Sequence, residues 1–248
     1  MKTSVLKVGL LSIVFTASTI VLTPSAMAGH NYNRMYQVTV RNATRGQPVA
    51  PSVIATHTAA FRLFELGQTP MNGDPGYNVY FALAAMAETG YPFHVLDQVA
   101  ASDGVYDAVV LATTLMPPIL PPGESNSTVI NASGDAKYLT AVAMLGATND
   151  AVYAVRGVEL PKGIHDTVGV FANAYDVGSE ENAESPATVG FLGSMEDDGE
   201  SGMGINEGGE GYIHVHAGIH GVGGAGGLDP ATYDWRNPVV EVTIERIQ

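Results

Sequence analysis

Two segments, one near each end of the chain, alternate strictly between apolar and polar residues. In residues 35–42 (MYQVTVRN) the apolar positions are Tyr36, Val38 and Val40, and residues 238–247 (PVVEVTIERI) show the same period of two. Such alternation predicts strands with one buried and one solvated face. We expect these two segments to be the first and last strands of one antiparallel sheet, because such sheets keep a wet face.

Between these strands, the pattern predicts two helical segments followed by several short strands. Residues 79–88 (VYFALAAMAE) contain strong helix formers and end before Gly90, and residues 58–66 (TAAFRLFEL) show a weaker helical pattern that ends at Gly67. After Asp103 the chain reads as short β-like runs bounded by Gly, Pro, Asn or Asp. This spacing is typical of a β-sandwich or a closed β-sheet. We predict an all-β protein, an antiparallel β-sandwich with one or two short helices.

The first 28 residues have the features of a secretory signal peptide. Lys2 and Lys7 precede an apolar run, and residues 26–28 (AMA) form a small-residue cleavage site. The apolar run is interrupted by Ser and Thr and is shorter than the roughly 20 residues of a spanning helix. We therefore expect export to the periplasm or beyond, and one β domain from residue 29 to 248 with no transmembrane segment.

Charge and cysteine content narrow the possible partners. The formal net charge is −14, and the predicted signal segment contains no acidic residue, so the exported part is more acidic still. Such a chain is repelled by nucleic acid and by anionic membrane surfaces. The chain has no cysteine, so its core, with or without a bound ion, must hold the fold.

A cluster of carboxylates in residues 175–182 (YDVGSEEN) is the first candidate site. Asp176 and Glu180 follow an apolar run, and Gly178 permits a tight bend between them. Calcium takes about six to eight oxygen ligands, so a second loop must contribute, and Asp150 is the best candidate. On spacing alone, the alternative is that the aspartates cap turns and Glu180 is solvated.

The order of several motifs resembles the spondin N-terminal domain of F-spondin, mindin and bacterial secreted proteins. In chain order these are PSVIATH, TNDAVYAVRGVELP, AYDVGSEENAE, HVHAGIHGVGG and YDWRNPVVEVTIERI, and the resemblance extends from about Tyr36 to Ile247. It implies a C2-like β-sandwich with calcium held by acidic loops at one end. It also implies a role in adhesion or matrix binding rather than catalysis.

The same resemblance implies the ligands of the calcium ion. The Asp-Ala-Gly-Thr-Asp/Glu element of the family matches residues 176–180, which gives Asp176 and Glu180 the ligand role, and Asp150 matches an acidic residue between the two preceding strands. A further family carboxylate has no clear counterpart, since only Asn131 and Asp135 lie nearby in the sequence.

Three of the seven histidines fall within residues 214–220 (HVHAGIH) and form the second candidate site. On a strand His214 and His216 share a face, and with His220 they could bind zinc or copper in a metal-dependent enzyme. The pattern is also similar to copper–zinc superoxide dismutase, but no histidine or cysteine follows His220. The preferred interpretation is a structural turn, in which Gly221 and its neighbours Gly223 and Gly224 adopt positive φ.

Other catalytic classes lack their motifs. There is no G-x-S-x-G nucleophile elbow and no phosphate-binding loop with Lys-Ser or Lys-Thr. Isolated histidines such as His57 are predicted to be structural, and Trp235 is predicted to pack beneath the loop that leads to the last strand. We therefore expect a non-catalytic, monomeric module that binds calcium and an extracellular or envelope ligand, either protein or glycan.

Overall fold

Antiparallel β-strands make up most of the regular structure. The computed structural model describes residues 33–68, 79–192 and 208–248, so the predicted signal segment and most of the acidic loop at 196–211 lie outside the described residues. The predicted all-β class is confirmed. The elements are β1 (Arg34–Asn42), β2 (Ser52–His57), α1 (Val79–Thr89), α2 (Phe93–Ala100), β3 (Val105–Leu111), β4 (Ser125–Ala132), β5 (Tyr138–Met144), β6 (Ala151–Glu159), β7 (Thr167–Asp176), a 3₁₀ turn (Gly190–Leu192), β8 (His214–Val215), α3 (Pro230–Tyr233) and β9 (Val240–Arg246).

The strands form one continuous sheet that folds back on itself. Their order is β3-β2-β5-β6-β7-β9-β1-β4, with β8 added to β7. Strand β7 joins the two halves, because its first part pairs with β9 and its last residues pair with β6. At the open edge, Asp107 Oδ2 on β3 accepts hydrogen bonds from the backbone and side-chain amides of Asn131 on β4, at 2.9 and 3.0 Å. Side chains rather than a strand ladder therefore connect these two edges.

The first and last strands behave as their alternation predicts. Strand β1 pairs with β9 in antiparallel register, with Val38 opposite Ile244. The apolar residues of both strands are buried in the main core, which lies between the two halves of the sheet and also contains Tyr153 and Trp235. Trp235 is thus a core residue, as predicted. Gln37, Thr39 and Arg41 of β1 and the polar residues at alternate positions of β9 are on the opposite faces, which explains the alternation, whereas Asn42 at the end of β1 is buried.

Strands β2, β5 and β6 are apolar on both faces because both faces are covered. Ile54 and Leu139 point into the main core, whereas alternate positions of the same strands, such as Val53 and Val142, point to a second apolar cluster on the other side of the sheet. Helices α1 and α2 cover that side and bury Leu83, among others. The predicted helix at residues 79–88 is therefore confirmed as α1. No helix among the described residues is long and apolar enough to cross a membrane.

The helix predicted at residues 58–66 is wrong. This segment is irregular, with Leu63 and Phe64 buried in the second cluster beside α1. Local side-chain hydrogen bonds replace helical ones: Thr58 Oγ1 accepts from the amide of Ala60, and the Arg62 guanidinium donates to two nearby carbonyls. Burial of a few large side chains and these local bonds outweighed a moderate helical propensity.

Candidate functional site

The predicted site lies where the β5–β6 turn meets the end of β7. Asp150 is the last residue of that turn, Asp176 is the last residue of β7, and Ala151 pairs directly with Asp176. The backbone amide of Val177 donates to the Asp150 carbonyl at 3.2 Å, which ties the two loops together. The strand register thus brings together two aspartates that are far apart in the sequence.

The loop after β7 is built around Asp176 and Gly178. Asp176 Oδ1 accepts a hydrogen bond from the Gly178 amide at 2.8 Å, and Oδ2 accepts from the Asn182 side chain at 2.6 Å. Gly178 has a φ of +74°, which confirms the predicted tight bend. A β-carbon there would lie 2.5 Å from the Tyr212 carbonyl oxygen, so the loop also needs glycine for close contact with the segment before β8.

Asp150 is held by this same loop. Its Oδ2 accepts hydrogen bonds from the backbone amides of Ser179 and Glu180, at 2.7 and 2.9 Å, and lies 3.2 Å from the Ser179 hydroxyl. Its Oδ1 is buried and has no hydrogen-bond partner among the described residues. Asp150 is fully buried, so this oxygen has lost its contact with water without a replacement.

Two further carboxylates belong to this region. Glu180, the third predicted ligand, is 5% exposed and follows Ser179 on the loop that wraps Asp150. Glu88, in the last turn of α1, is 1% exposed, and its negative charge acts on Asp150. Glu88 was not predicted as a site residue, although it is the only charged residue in an otherwise apolar helix, which is the sequence signal that marks it.

Burial and nearby negative charge make Asp150 and Asp176 hard to ionise. Burial, followed by the negative charge of Asp176, raises the pKa of Asp150 to about 8, despite the hydrogen bonds from Glu180 and Ser179. Burial also raises the pKa of Asp176, against the effects of the Asn182 hydrogen bond and of His214. Among the described residues, no lysine or arginine forms an ion pair with either aspartate.

The donor set suits a hard cation, but its present arrangement is not a coordination shell. Carboxylates, a hydroxyl and backbone carbonyls are the oxygen ligands that calcium takes. Within the part of the chain that the structure describes, however, no three His, Asp or Glu side chains are placed to hold a metal ion. The oxygens of Asp176 and one oxygen of Asp150 accept hydrogen bonds from local donors instead.

No protein-family model matches this sequence, and a search of curated proteins found no match either. The resemblance to the spondin N-terminal domain therefore depends on the motifs alone and stays a prediction.

Two of the three histidines of the second candidate site, His214 and His216, face Asp176. His214 Nδ1 lies 3.8 Å from Asp176 Oδ1, and His216 Nε2 lies 3.9 Å from Asp176 Oδ2. His216 Nδ1 accepts a hydrogen bond from the Gly218 amide at 3.0 Å, so in the neutral ring the proton is on Nε2. That nitrogen then carries a proton rather than the lone pair that a metal needs, and at 3.9 Å from Asp176 it has no hydrogen-bond partner among the described residues.

His216 is part of the core beneath this loop. Its ring packs against Trp235 with centroids 4.9 Å apart, and it is 6% exposed. Burial lowers the pKa of His216 to about 4, with further lowering by the charges of His214 and His220. The ring is therefore neutral at physiological pH, and its packing is that of a structural residue.

A buried glutamate organises the turn that follows. The Glu184 carboxylate accepts hydrogen bonds from the successive amides of His220, Gly221 and Val222, at 2.6, 2.6 and 2.9 Å. Gly221 has the predicted positive φ. Gly223 does not, and the reason for glycine there is proximity, because a β-carbon would lie 2.0 Å from the Glu184 carbonyl oxygen.

Two other predicted positions lie outside the site. Asp135 precedes β5, whereas Asp150 follows it, and Asp135 pairs with Lys137 at the surface. Asp135 therefore cannot replace the missing family carboxylate. His57 is buried, with Nδ1 on the Thr58 carbonyl at 2.7 Å and Nε2 on the Thr140 hydroxyl at 2.8 Å, and so is structural as predicted.

Replacement of Gly178 tests the close contact that shapes the loop. We expect Gly178→Ala to lower the free energy of unfolding by several kcal/mol, because it adds a backbone clash to the roughly 1–2 kcal/mol cost of a left-handed non-glycine residue. Gly123→Ala is the matched control, since Gly123 has a φ of +81° and open space around its α-carbon. Urea denaturation measures both variants, and equal losses would show that the contact with Tyr212 has no energetic role.

Proposed function

We propose that this chain is a secreted calcium-binding module of the spondin type, which acts by binding rather than by catalysis. Asp150, Asp176 and Glu180 are the proposed calcium ligands. The observation that carries the proposal is the buried Asp150 Oδ1, which has no hydrogen-bond partner in the described part of the chain and lies in a cluster of buried carboxylates.

A cation resolves the electrostatic problem of this cluster. Buried ionised carboxylates that repel one another are strongly unfavourable unless a positive charge compensates them. A calcium ion supplies that charge and can take oxygens from both loops. Binding then requires Asp150 and Asp176 to ionise and to exchange some of their local hydrogen bonds for the ion.

The alternative is a metal-dependent enzyme that uses zinc or copper at His214, His216 and His220. The Gly218 hydrogen bond to His216 Nδ1 weighs against it, because it leaves the proton on the nitrogen that faces Asp176. His220 is exposed, and its backbone amide binds Glu184. We therefore assign His214 and His216 a structural role beside Asp176, at 3.8 and 3.9 Å, rather than the role of metal ligands.

Thermal melting with calcium and with chelator tests the proposed function. A ligand that binds only the folded state at about 100 times its Kd adds about 2.7 kcal/mol to the free energy of unfolding. We expect calcium to raise the melting temperature and magnesium, which is smaller and holds its waters more tightly, to raise it less. An unchanged midpoint in protein that was metal-free at the start rejects the calcium site.

Substitution of both His214 and His216 distinguishes a calcium site from a zinc or copper site. We expect His214→Gln with His216→Gln to keep calcium binding, while the loss of packing against Trp235 lowers the melting temperature modestly. Elemental analysis of the exported protein is the measurement. Stoichiometric zinc or copper that disappears in the double variant would favour the enzyme instead.

The location and partner of the protein are part of the same proposal. Export through the segment 1–28 would deliver a chain that starts at Gly29 to the periplasm or outside, where calcium is available to an acidic module. The proposed partner is an extracellular or envelope protein or glycan. N-terminal sequencing of the exported chain checks the cleavage site, and retention of residues 1–28 would contradict it.

A further inference from the structure

A cavity of about 580 Å³ opens beside the candidate calcium site. It lies where the α1–α2 junction, the start of β2 and the proline-rich loop before β4 meet. Its walls include Pro48 before β2, Tyr91 and Phe93 at the α1–α2 junction, Pro117 from the loop, and Phe191 from the 3₁₀ turn. Cavities of this size are typical of sites for small molecules.

The lining is suited to an apolar ligand. Phe93 and Phe191 are 48% and 49% exposed, so large apolar surfaces at the cavity are not used by either core. Tyr91 and Phe93 form an edge-to-face pair with ring centroids 5.3 Å apart, which fixes their orientation. Met116, next to Pro117, is 92% exposed at the same loop. Grouped exposed apolar side chains of this kind mark binding sites.

The charge around the cavity favours a cation. Among the described residues that line it, Glu88 is the only acidic one and none is basic. Glu88 is 1% exposed, so its charge acts through the cavity wall rather than by direct contact. Asp150 does not line the cavity, but it is near enough to Glu88 for their charges to interact. Charges behind an apolar wall are weakly screened, and aromatic rings also attract cations.

We propose that this cavity binds an amphiphilic organic cation, with its apolar body among the prolines and aromatic rings and its ammonium group on the Glu88 side. The aromatic lining supplies the affinity for the apolar body. The negative field of Glu88 supplies the preference for a positive head group over a neutral or negative one. None of the proposed calcium ligands lines this cavity, and the proposal is tested in chelator so that a bound cation does not offset the field of Glu88.

Isothermal titration with three ligands of the same chain length tests the proposal. Octylammonium, 1-octanol and octanoate differ only in the charge and type of their head group. We expect octylammonium to bind about tenfold more tightly than octanol, and octanoate to bind most weakly. Equal affinities, or a preference for octanoate, would overturn the proposal.

Two variants test whether ligand binding and the preference for octylammonium arise at this cavity. Ala112→Phe, at an exposed position of the cavity lining, should remove binding of all three ligands, whereas the control Ala225→Phe, at an exposed position elsewhere, should not. Glu88→Gln should keep octanol binding and abolish the roughly tenfold preference for octylammonium. Melting curves establish that each variant is folded. Unchanged binding in Ala112→Phe, or an unchanged preference in Glu88→Gln, rejects the assignment.

Discussion

Asp150→Asn is expected to stabilise the protein without calcium and to abolish its stabilisation by calcium. Without metal, burial and Asp176 raise the pKa of Asp150 to about 8, so at neutral pH the carboxyl must take up a proton on folding. The substitution removes this cost, and the amide oxygen can still accept the hydrogen bonds from Ser179 and Glu180. We expect a gain of about 1–3 kcal/mol in chelator at neutral pH. With calcium, the wild-type protein should gain about 2.7 kcal/mol at 100 times Kd, and the variant should gain little.

Denaturation of both proteins, once in chelator and once in calcium, shows whether the difference between their free energies of unfolding changes sign. Asp135→Asn is the matched control, because the Asp135 side chain is 88% exposed and lies at the other end of β5. It should change neither the stability nor the response to calcium. If Asp150→Asn destabilises the protein equally in both conditions, Asp150 is a turn-capping residue and not a ligand.

The stability of the metal-free protein should fall as the pH rises from about 6.5 to 8. The pKa of Asp150 is raised to about 8 in the folded state, so the folded protein binds a proton that the unfolded chain, with its ordinary pKa near 3.8, has already released. The free energy of unfolding therefore decreases with pH, by at most about 1.4 kcal/mol per pH unit. Below about pH 6.5 the lowered pKa of His216 acts in the opposite direction and masks the trend.

Calcium should remove this pH dependence, because the ion binds the ionised carboxylates and competes with their protons. Urea denaturation at a series of pH values, with calcium and with chelator, gives both profiles. In chelator, the profile of Asp150→Asn should be flatter than that of the wild type. A wild-type stability that rises with pH in chelator would show that Asp150 ionises without cost.

Strands with one buried and one solvent-exposed face are predicted well from the sequence. The alternation of β1 and β9 reports a real difference between their two faces, so both strands and their pairing were predictable. Strand β5 gives no such alternation, because α1 and α2 cover its outer face. The short α2 was not predicted, since its two buried residues, Val95 and Val99, give only a single repeat of the helical spacing.

The bend at Gly178 and the contribution of Asp150 from a second loop were predictable, whereas the other side chains around them were not. The motif at residues 176–180 fixes the bend at Gly178, since that geometry depends on neighbouring residues. The approach of Glu88 depends on how α1 packs against the sheet, and no local pattern encodes that packing. His214 and His216 face Asp176 because β8 pairs with β7, and local sequence does not encode that pairing either.

Equilibrium dialysis of chelator-stripped protein against calcium measures how many ions each chain binds. We expect one calcium ion per wild-type chain, loss of that ion in Asp150→Asn and in Asp176→Asn, and full retention in Asp135→Asn. Absence of bound calcium in folded wild-type protein, or one calcium per chain that persists in both site variants, would contradict the proposed calcium site.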